Sequence, residues 1–192
     1  MNDDLRYLIK ERVAYGSVGG STVRNMGPEK TMSTAQEFLA DTPFLEDICK
    51  NPSRKNFNEI LDAYTELLRA QLPIGKRKHG STFGGYWGCA RKCLNIFLFE
   101  STLNKYLCEQ HKHLQKLEPM LEVPLDGRVG ACLDEEPENE GLLKWDSVIR
   151  LEKGRSDQYQ TLANAVADRR RISRVQLDLL YFRVDDRKRS AT

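Results

Sequence analysis

The sequence has no long apolar run, and this lack removes one class of protein from consideration. A membrane-spanning helix needs about 18–20 consecutive apolar residues, and no stretch of the 192-residue chain comes near that length. The first residues, Met1-Asn2-Asp3-Asp4, are acidic where a secretory signal is basic. We therefore expect a soluble, cytoplasmic protein that does not bind a membrane.

Cysteine and histidine are scarce, with five and three residues respectively. An odd number of cysteines without a regular spacing does not predict a disulfide framework. Cys89 and Cys93 lie four apart among apolar residues, so we expect reduced thiols in the core. Cys108, His111 and His113 lie close together, but no second pair of ligands follows at a spacing typical of zinc sites. We predict neither a metal nor a cofactor.

Alternation of apolar and polar residues is also absent, so no β-strand is predicted. Instead, apolar residues recur at helical spacing, most clearly in the segment that Asn51-Pro52-Ser53 opens and Pro73 closes. Its inward face consists of Phe57, Ile60, Leu61, Tyr64, Leu67 and Leu68. With 40% hydrophobic residues, the chain is long enough for one core. The prediction is a single all-α domain over residues 1–192, with a frayed charged tail at 185–192.

The stretch from Phe83 to Asp126 is the most informative part of the chain. It opens with a turn rich in glycine and aromatic residues, Phe83-Gly84-Gly85-Tyr86-Trp87-Gly88. A helix then begins around Ala90-Arg91-Lys92, and it is apolar over so much of its circumference that burial in the middle of a bundle is expected. The stretch closes on Val123-Pro124-Leu125-Asp126, just before another helical run.

Lys92 and Asp126 are the candidate chemical groups of this stretch. A lysine at a helix start, beside Arg91, has two reasons to lose its proton more readily and to act as a nucleophile. Asp126 follows a proline-fixed extended dipeptide and precedes a helix, which is the N-cap position, where backbone N–H groups keep a carboxylate ionised. If the two helices pack side by side, both groups face one cleft. Taken singly, each residue also has an ordinary structural explanation, as a surface lysine or a cap.

Charge is distributed unevenly along a chain whose net charge is only +2. Residues 69–92 contain six basic residues and no acidic ones, whereas residues 118–146 contain nine acidic and two basic residues. The basic segment leads directly into Lys92, and its loop residues 76–81 are of the kind that contact phosphates as point charges. This placement favours a nucleic-acid partner, although a solvated loop can also be basic.

The glycine-rich turn, the lysine at a helix start and the downstream Val-Pro-Leu-Asp resemble the core of the helix-hairpin-helix DNA glycosylase superfamily. The wide gap between Lys92 and Asp126 is most similar to the archaeal 8-oxoguanine glycosylase branch, and the chain also resembles small glycosylases of bacterial anti-phage defence. The resemblance implies a monomeric enzyme that acts on double-stranded DNA carrying a modified base. Such an enzyme flips the base into a pocket and cleaves its N-glycosidic bond.

The resemblance also implies roles for individual residues. Lys92 would attack C1′ of the sugar, and Asp126 would stabilise the positive charge that develops as the base leaves. Tyr86 and Trp87 would stack on the extruded base or fill its gap, unless they are ordinary core aromatics. The DNA-contacting residues would be Lys76, Arg77, Lys78, Ser81, Gly84, Gly85, Gly88 and Arg91.

Several alternatives remain open at the level of sequence. The base removed could be 8-oxoguanine, as in the archaeal branch, or glucosylated 5-hydroxymethylcytosine, as in the defence enzymes. If water replaces Lys92 as the nucleophile, an abasic site remains without strand cleavage. In the competing class, a non-enzymatic DNA-binding or regulatory module, Lys92 is a phosphate contact and Asp126 only a cap.

Overall fold

The computed structural model describes residues 2–141 and 143–182, so the predicted frayed tail lies outside the described residues. The fold is predominantly helical, as the sequence predicts. The helices are α1 (Asp3–Ser17), α2 (Thr31–Asp41), α3 (Phe44–Lys50), α4 (Arg54–Gln71), α5 (Trp87–Leu103), α6 (Lys105–Gln110), α7 (Gly127–Asp134), α8 (Lys153–Arg170) and α9 (Leu177–Tyr181). Short 3-10 helices span Leu114–Met120, Pro137–Asn139, Val148–Arg150 and Arg174–Gln176.

A two-stranded antiparallel hairpin departs from the prediction that no strand forms. Strands β1 (Ile74–Lys76) and β2 (Thr82–Gly84) pair in the register Ile74↔Gly84 and Lys76↔Thr82, between α4 and α5. Each strand is only three residues long, which is too short for an alternating pattern to be visible in the sequence. The hairpin tip, residues 77–81, closes with Arg77 N donating to the Ser81 carbonyl at 2.8 Å.

Both ends of helix α4 and most of its inward face agree with the prediction from the sequence. The Ser53 side chain caps it by accepting from Asn56 N, and the helix ends at Gln71, two residues before Pro73. Four of the six predicted inward residues are buried: Phe57, Leu61, Tyr64 and Leu68. Leu67, in contrast, is 52% exposed.

Helix α5 is buried around most of its circumference, as predicted, and it packs against α1, α2, α4 and α8. It begins three residues earlier than predicted, at Trp87. Gly88 is therefore a helix residue and not part of a turn. A Cβ on Gly88 would lie 2.2 Å from the Val148 carbonyl oxygen, so the glycine is needed for the close approach of the 3-10 helix Val148–Arg150.

The core consists of two clusters of buried side chains that meet along α5. The first cluster lies between α5 and the first four helices and includes Phe44, Phe57, Leu94 and Phe97. The second lies under α7, α8 and α9, and its members are Trp87, Val123, Leu125, Val129, Leu133, Leu151, Tyr159, Leu162, Ala163, Val166, Ala167, Leu177 and Tyr181. Among the described residues, no helix combines the length and apolar character needed to cross a membrane.

The acidic and basic blocks of the second half of the chain pair with one another. Arg169 binds Glu136 at 2.6 Å and also Glu138, and Arg170 binds Glu136 at 2.5 Å. The basic run at the end of α8 therefore neutralises the acidic loop that follows α7. These arginines are engaged within the protein, which leaves the hairpin as the more prominent basic feature of the surface.

Candidate active site

The structure places Lys92 and Asp126 together, 34 residues apart in sequence. Lys92 Nζ lies 3.9 Å from Asp126 Oδ2 and donates a hydrogen bond to the Thr22 carbonyl at 3.1 Å. Lys92 is only 7% exposed, because the loop between α1 and α2 covers it. The amine is therefore enclosed by a carbonyl on one side and a carboxylate on the other.

Asp126 is the N-cap of α7, as the sequence predicts. Its Oδ1 accepts hydrogen bonds from Arg128 N and Val129 N, both at 2.9 Å. Its Oδ2 is the atom that faces Lys92. Oδ1 therefore caps the terminus of α7, whereas Oδ2 can interact with a positively charged group such as the Lys92 amine. The side chain is 36% exposed, so solvent or a ligand reaches the carboxylate.

The sequence predicts that the helix terminus and Arg91 both favour a nucleophilic amine at Lys92, but the structure weakens both effects. Lys92 is the sixth residue of α5, so it lies in the second turn, beyond the helix terminus where the dipole acts most strongly. The neighbouring Arg91 is compensated by two carboxylates, Glu122 and Asp62. Neither the helix start nor Arg91 therefore acts on the amine as an uncompensated positive charge.

Arg91 belongs to the core and not to a DNA-contacting surface. Only 3% of it is exposed, and its guanidinium donates to both carboxylate oxygens of Glu122 at 2.9 Å and to Thr65 Oγ1 at 2.9 Å. Asp62 Oδ1 lies 2.8 Å from the same group. The sequence predicts that Arg91 contacts DNA. The structure corrects this prediction, because Arg91 is buried and all of these partners lie inside the protein.

The extended segment that precedes Asp126 is held by side chains from four helices. Glu122 is bound by Arg91 of α5, and Gln160 of α8 donates to the Val123 carbonyl at 2.8 Å and accepts from Val123 N at 3.1 Å. Arg54 of α4 and Arg174 of the 3-10 helix Arg174–Gln176 bind carbonyls at residues 119–121. These contacts fix the approach to the α7 terminus and so fix Asp126.

Trp87 is likewise a core residue. It is 1% exposed, and Arg91 lies over its ring at 5.2 Å. Of the two aromatics predicted to stack on a base, only Tyr86 is half-buried, at the N-cap of α5. The sequence leaves open whether Trp87 stacks on a base or is an ordinary core aromatic, and its burial identifies it as a core aromatic.

The remaining predicted DNA contacts lie on the hairpin and just after it. Lys76, Arg77, Lys78 and Ser81 are exposed, and Arg77 lies over the Phe83 ring at 5.4 Å. Gly84 and Gly85 have φ angles of 106° and 64°, which favour glycine and turn the chain from β2 into α5. The hairpin therefore presents a basic tip on a short, defined connection to the helix that carries Lys92.

Asp178 is a third group of the site that sequence reasoning missed. It lies in α9, which packs against α7, and burial raises its pKa to about 6; the nearby Asp126 and Glu100 add to this rise, whereas Lys92 opposes it. Asp178 is thus influenced by the charges of both members of the Lys92–Asp126 pair. No sequence signal pointed to Asp178, because it is a single acidic residue in an apolar run.

Within residues 2–141 and 143–182, histidine, cysteine and acidic side chains form no group of three that could hold a metal ion. Comparison with protein-family profiles, curated proteins and solved structures gives no match to this chain.

Proposed function

We propose that the chain is a DNA glycosylase whose chemical groups are Lys92 and Asp126. The observation that carries the proposal is the 3.9 Å approach of Lys92 Nζ, in α5, to Asp126 Oδ2, at the N-terminus of α7. A buried amine beside a partly exposed, N-capping carboxylate suits a reaction in which positive charge develops on a sugar. The resemblance of the 83–126 stretch to the helix-hairpin-helix glycosylases supports the same assignment.

In this reaction the amine of Lys92, in its neutral form, attacks C1′ of the flipped nucleotide. The C1′–N bond to the base breaks, its electron pair leaves with the base, and the base takes up a proton from water. Asp126 Oδ2 stabilises the positive charge on the sugar and accepts the proton that the attacking nitrogen releases. The C1′–O4′ bond then breaks, O4′ takes up that proton, and the C1′=N bond of the Schiff base forms. The exposed residues 76–78 bind the backbone phosphates and align the duplex.

The test is base release combined with covalent trapping. Purified protein is incubated with duplexes containing ordinary bases, 8-oxoguanine or glucosylated 5-hydroxymethylcytosine, and borohydride is added to reduce any Schiff base. We expect release from one of the modified duplexes and a trapped adduct. Lys92→Ala should abolish the adduct, whereas Lys105→Ala, at an exposed lysine that pairs with Glu109 at 3.9 Å, should leave it unchanged.

Asp126→Asn is the matched test of the carboxylate. Asparagine is also a good N-cap, so the variant keeps α7 while it removes the charge. We expect base release to slow by about 100-fold, a typical loss for one electrostatic group in an active site. Base release without an adduct would show that water is the nucleophile. If no modified duplex loses a base, the enzyme proposal is wrong.

A non-enzymatic DNA-binding module is the second candidate, and one observation favours it. Lys92 Nζ is occupied by the Thr22 carbonyl, which is an interaction that a purely structural lysine would make. In that case Lys92→Ala lowers stability but leaves duplex binding intact, and no duplex loses a base. Thermal unfolding of Lys92→Ala, measured beside the trapping experiment, separates loss of chemistry from loss of fold.

A further inference from the structure

We propose that Arg54 and Arg174 form a binding site for a phosphate-type oxyanion, in a cleft separate from Lys92 and Asp126. The two arginines come from α4 and from the 3-10 helix Arg174–Gln176, 120 positions apart in the sequence. The inference does not depend on the glycosylase proposal, because it rests on different residues.

The two guanidinium groups converge on one backbone atom. Arg54 Nη1 donates to the Met120 carbonyl at 3.0 Å, and Arg174 Nη2 donates to the same carbonyl at 3.1 Å. Arg54 also donates to the Pro119 carbonyl at 2.7 Å, and Arg174 to the Leu121 carbonyl at 3.1 Å. These contacts fix both positive charges at one place, at the C-terminal end of the 3-10 helix Leu114–Met120.

Neither charge has an anionic partner of its own. In the described part of the chain, no carboxylate forms an ion pair with Arg54 or Arg174. Glu122 lies close to Arg174, but its two oxygens are already occupied by Arg91 and Asn95. Backbone carbonyls carry only partial charges and do not neutralise two whole ones.

The arrangement is unfavourable for Arg174 without an anion. Burial, with a smaller contribution from the positive charges of Arg54 and Arg91, lowers its pKa to about 10, although Glu122 opposes this shift. Two like charges held in contact with one acceptor repel each other. A bound anion would relieve this repulsion, and the fixed geometry means that little further ordering is needed to bind it.

The cleft beside the two arginines has the size and lining that an oxyanion needs. Its volume is about 490 Å³, and besides the arginines it is lined by polar side chains that include Asn58, Lys153 and Asn164. Two acidic residues also line it: Asp157, which binds Lys153 at 2.9 Å, and Glu122, whose oxygens accept hydrogen bonds from Arg91 and Asn95. The cleft therefore offers several donors, and both of its carboxylates are bound by cationic side chains other than Arg54 and Arg174.

Phosphate fits these donors better than a carboxylate does. A guanidinium has five N–H donors, and the hydrogen bonds above use two on Arg54, whereas Arg174 uses three when its bond to the Gln160 carbonyl at 3.4 Å is included. Two guanidiniums with donors to spare match a tetrahedral group with several charged oxygens. A single carboxylate would satisfy only one of them in the bidentate manner.

The experiment is a titration with inorganic phosphate at constant ionic strength. We expect phosphate, but not chloride, to raise the melting temperature of the unaltered protein through ligand linkage, and calorimetry to give a dissociation constant. Arg54→Gln keeps an N–H donor for the carbonyls and removes the charge, so the dissociation constant should rise at least about tenfold. Lys55→Gln, at an exposed lysine one position away, should change nothing.

A second variant covers the case in which Arg54→Gln does not fold. Asn58→Asp places a carboxylate one helical turn from Arg54, where it pairs with the guanidinium and repels an anion. It leaves the carbonyl contacts of both arginines intact and should weaken phosphate binding to a similar degree. The proposal is overturned if phosphate has no effect on the unaltered protein, or if both variants bind phosphate as tightly as the unaltered protein does.

Duplex binding then identifies the source of the phosphate. If the site holds a DNA backbone phosphate, Arg54→Gln weakens the binding of inorganic phosphate and also reduces the slope of log K for duplex binding against log salt by about one unit. If the slope is unchanged while inorganic phosphate binding is lost, the ligand is a small phosphate compound. Base release by the unaltered protein is measured separately, so failure of one proposal leaves the other standing.

Discussion

The buried contact between Arg91 and Glu122 allows a prediction of stability that does not depend on function. Glu122 accepts hydrogen bonds from Arg91 Nε and Nη2 at 2.9 Å and from Asn95 Nδ2 at 3.0 Å. Glu122→Gln keeps the shape of the side chain but removes its charge and turns one acceptor into a donor. Arg91 then lies buried with Asp62 as its remaining carboxylate.

Removing one partner of a buried ion pair typically destabilises a protein by about 3–5 kcal/mol. Because Asp62 continues to compensate part of the charge, we expect the lower end, about 3 kcal/mol. For a chain of this size the corresponding fall in Tm is about 6–12 °C. Urea unfolding at pH 7 measures the loss, and the m-value should stay the same.

Two further measurements test this reasoning. Glu59→Gln removes an exposed carboxylate that faces Lys55 at 3.9 Å, and it should change stability by less than about 1 kcal/mol. Burial opposes ionisation of Glu122, but the charge and hydrogen bonds of Arg91 outweigh it and lower the pKa of this carboxyl. The contribution is therefore complete above the unfolded-state pKa, about 4.3, and disappears as pH falls through the lower folded-state value. A loss below about 1 kcal/mol for Glu122→Gln at pH 7 would refute the argument.

Three other predictions concern the hairpin, the site and the core. Neutralising residues 76–78 should flatten the log K against log salt slope for duplex DNA by up to roughly three units, and an unchanged slope would show that the hairpin points away from the duplex. Asp178→Asn should stabilise the protein at pH 8 by at most about 3 kcal/mol, because ionising a carboxyl whose pKa is raised to about 6 disfavours the fold; the gain should vanish near pH 3.5, and an equal gain at both pH values would contradict the stated cause. Gly130→Ala places a Cβ 2.0 Å from Trp145 Cδ2 and should cost about 1–3 kcal/mol in urea unfolding, whereas Gly127→Ala, whose Cβ meets nothing within 4 Å, should be nearly neutral.

Local signals in the sequence predicted several features correctly. Ser53 and Pro73 mark the two ends of α4, and the extended dipeptide Pro124-Leu125 predicts that Asp126 starts α7. The density of apolar residues predicted the burial of α5. In each case the information lies within a few residues of the feature, because caps and periodic faces are local properties.

Features that depend on the direction of a side chain in the fold were not predictable. Arg91 and Lys92 are neighbours in sequence, but successive residues point about 100° apart around a helix. Lys92 consequently faces Asp126, whereas Arg91 faces Glu122 and the middle of α4, where Asp62 lies. The basic segment therefore consists of one exposed part and one buried part, which its composition alone cannot separate.

Gln160 and Glu122 were missed for a related reason. A single polar residue in a helix or loop looks like a solvated one until its distant partner is known, and Gln160 pairs with Val123, 37 positions away. The same holds for the approach of the Thr22 carbonyl to Lys92. Such contacts satisfy buried polar groups one by one and leave no repeating pattern in the chain.

The junction of the two core clusters at α5 has a mechanical consequence. Lys92 lies beside Cys93 and Leu94 of the first cluster, whereas Asp126 stands between Leu125 and Val129 of the second. A sliding displacement of one cluster against the other therefore changes the separation of amine and carboxylate directly.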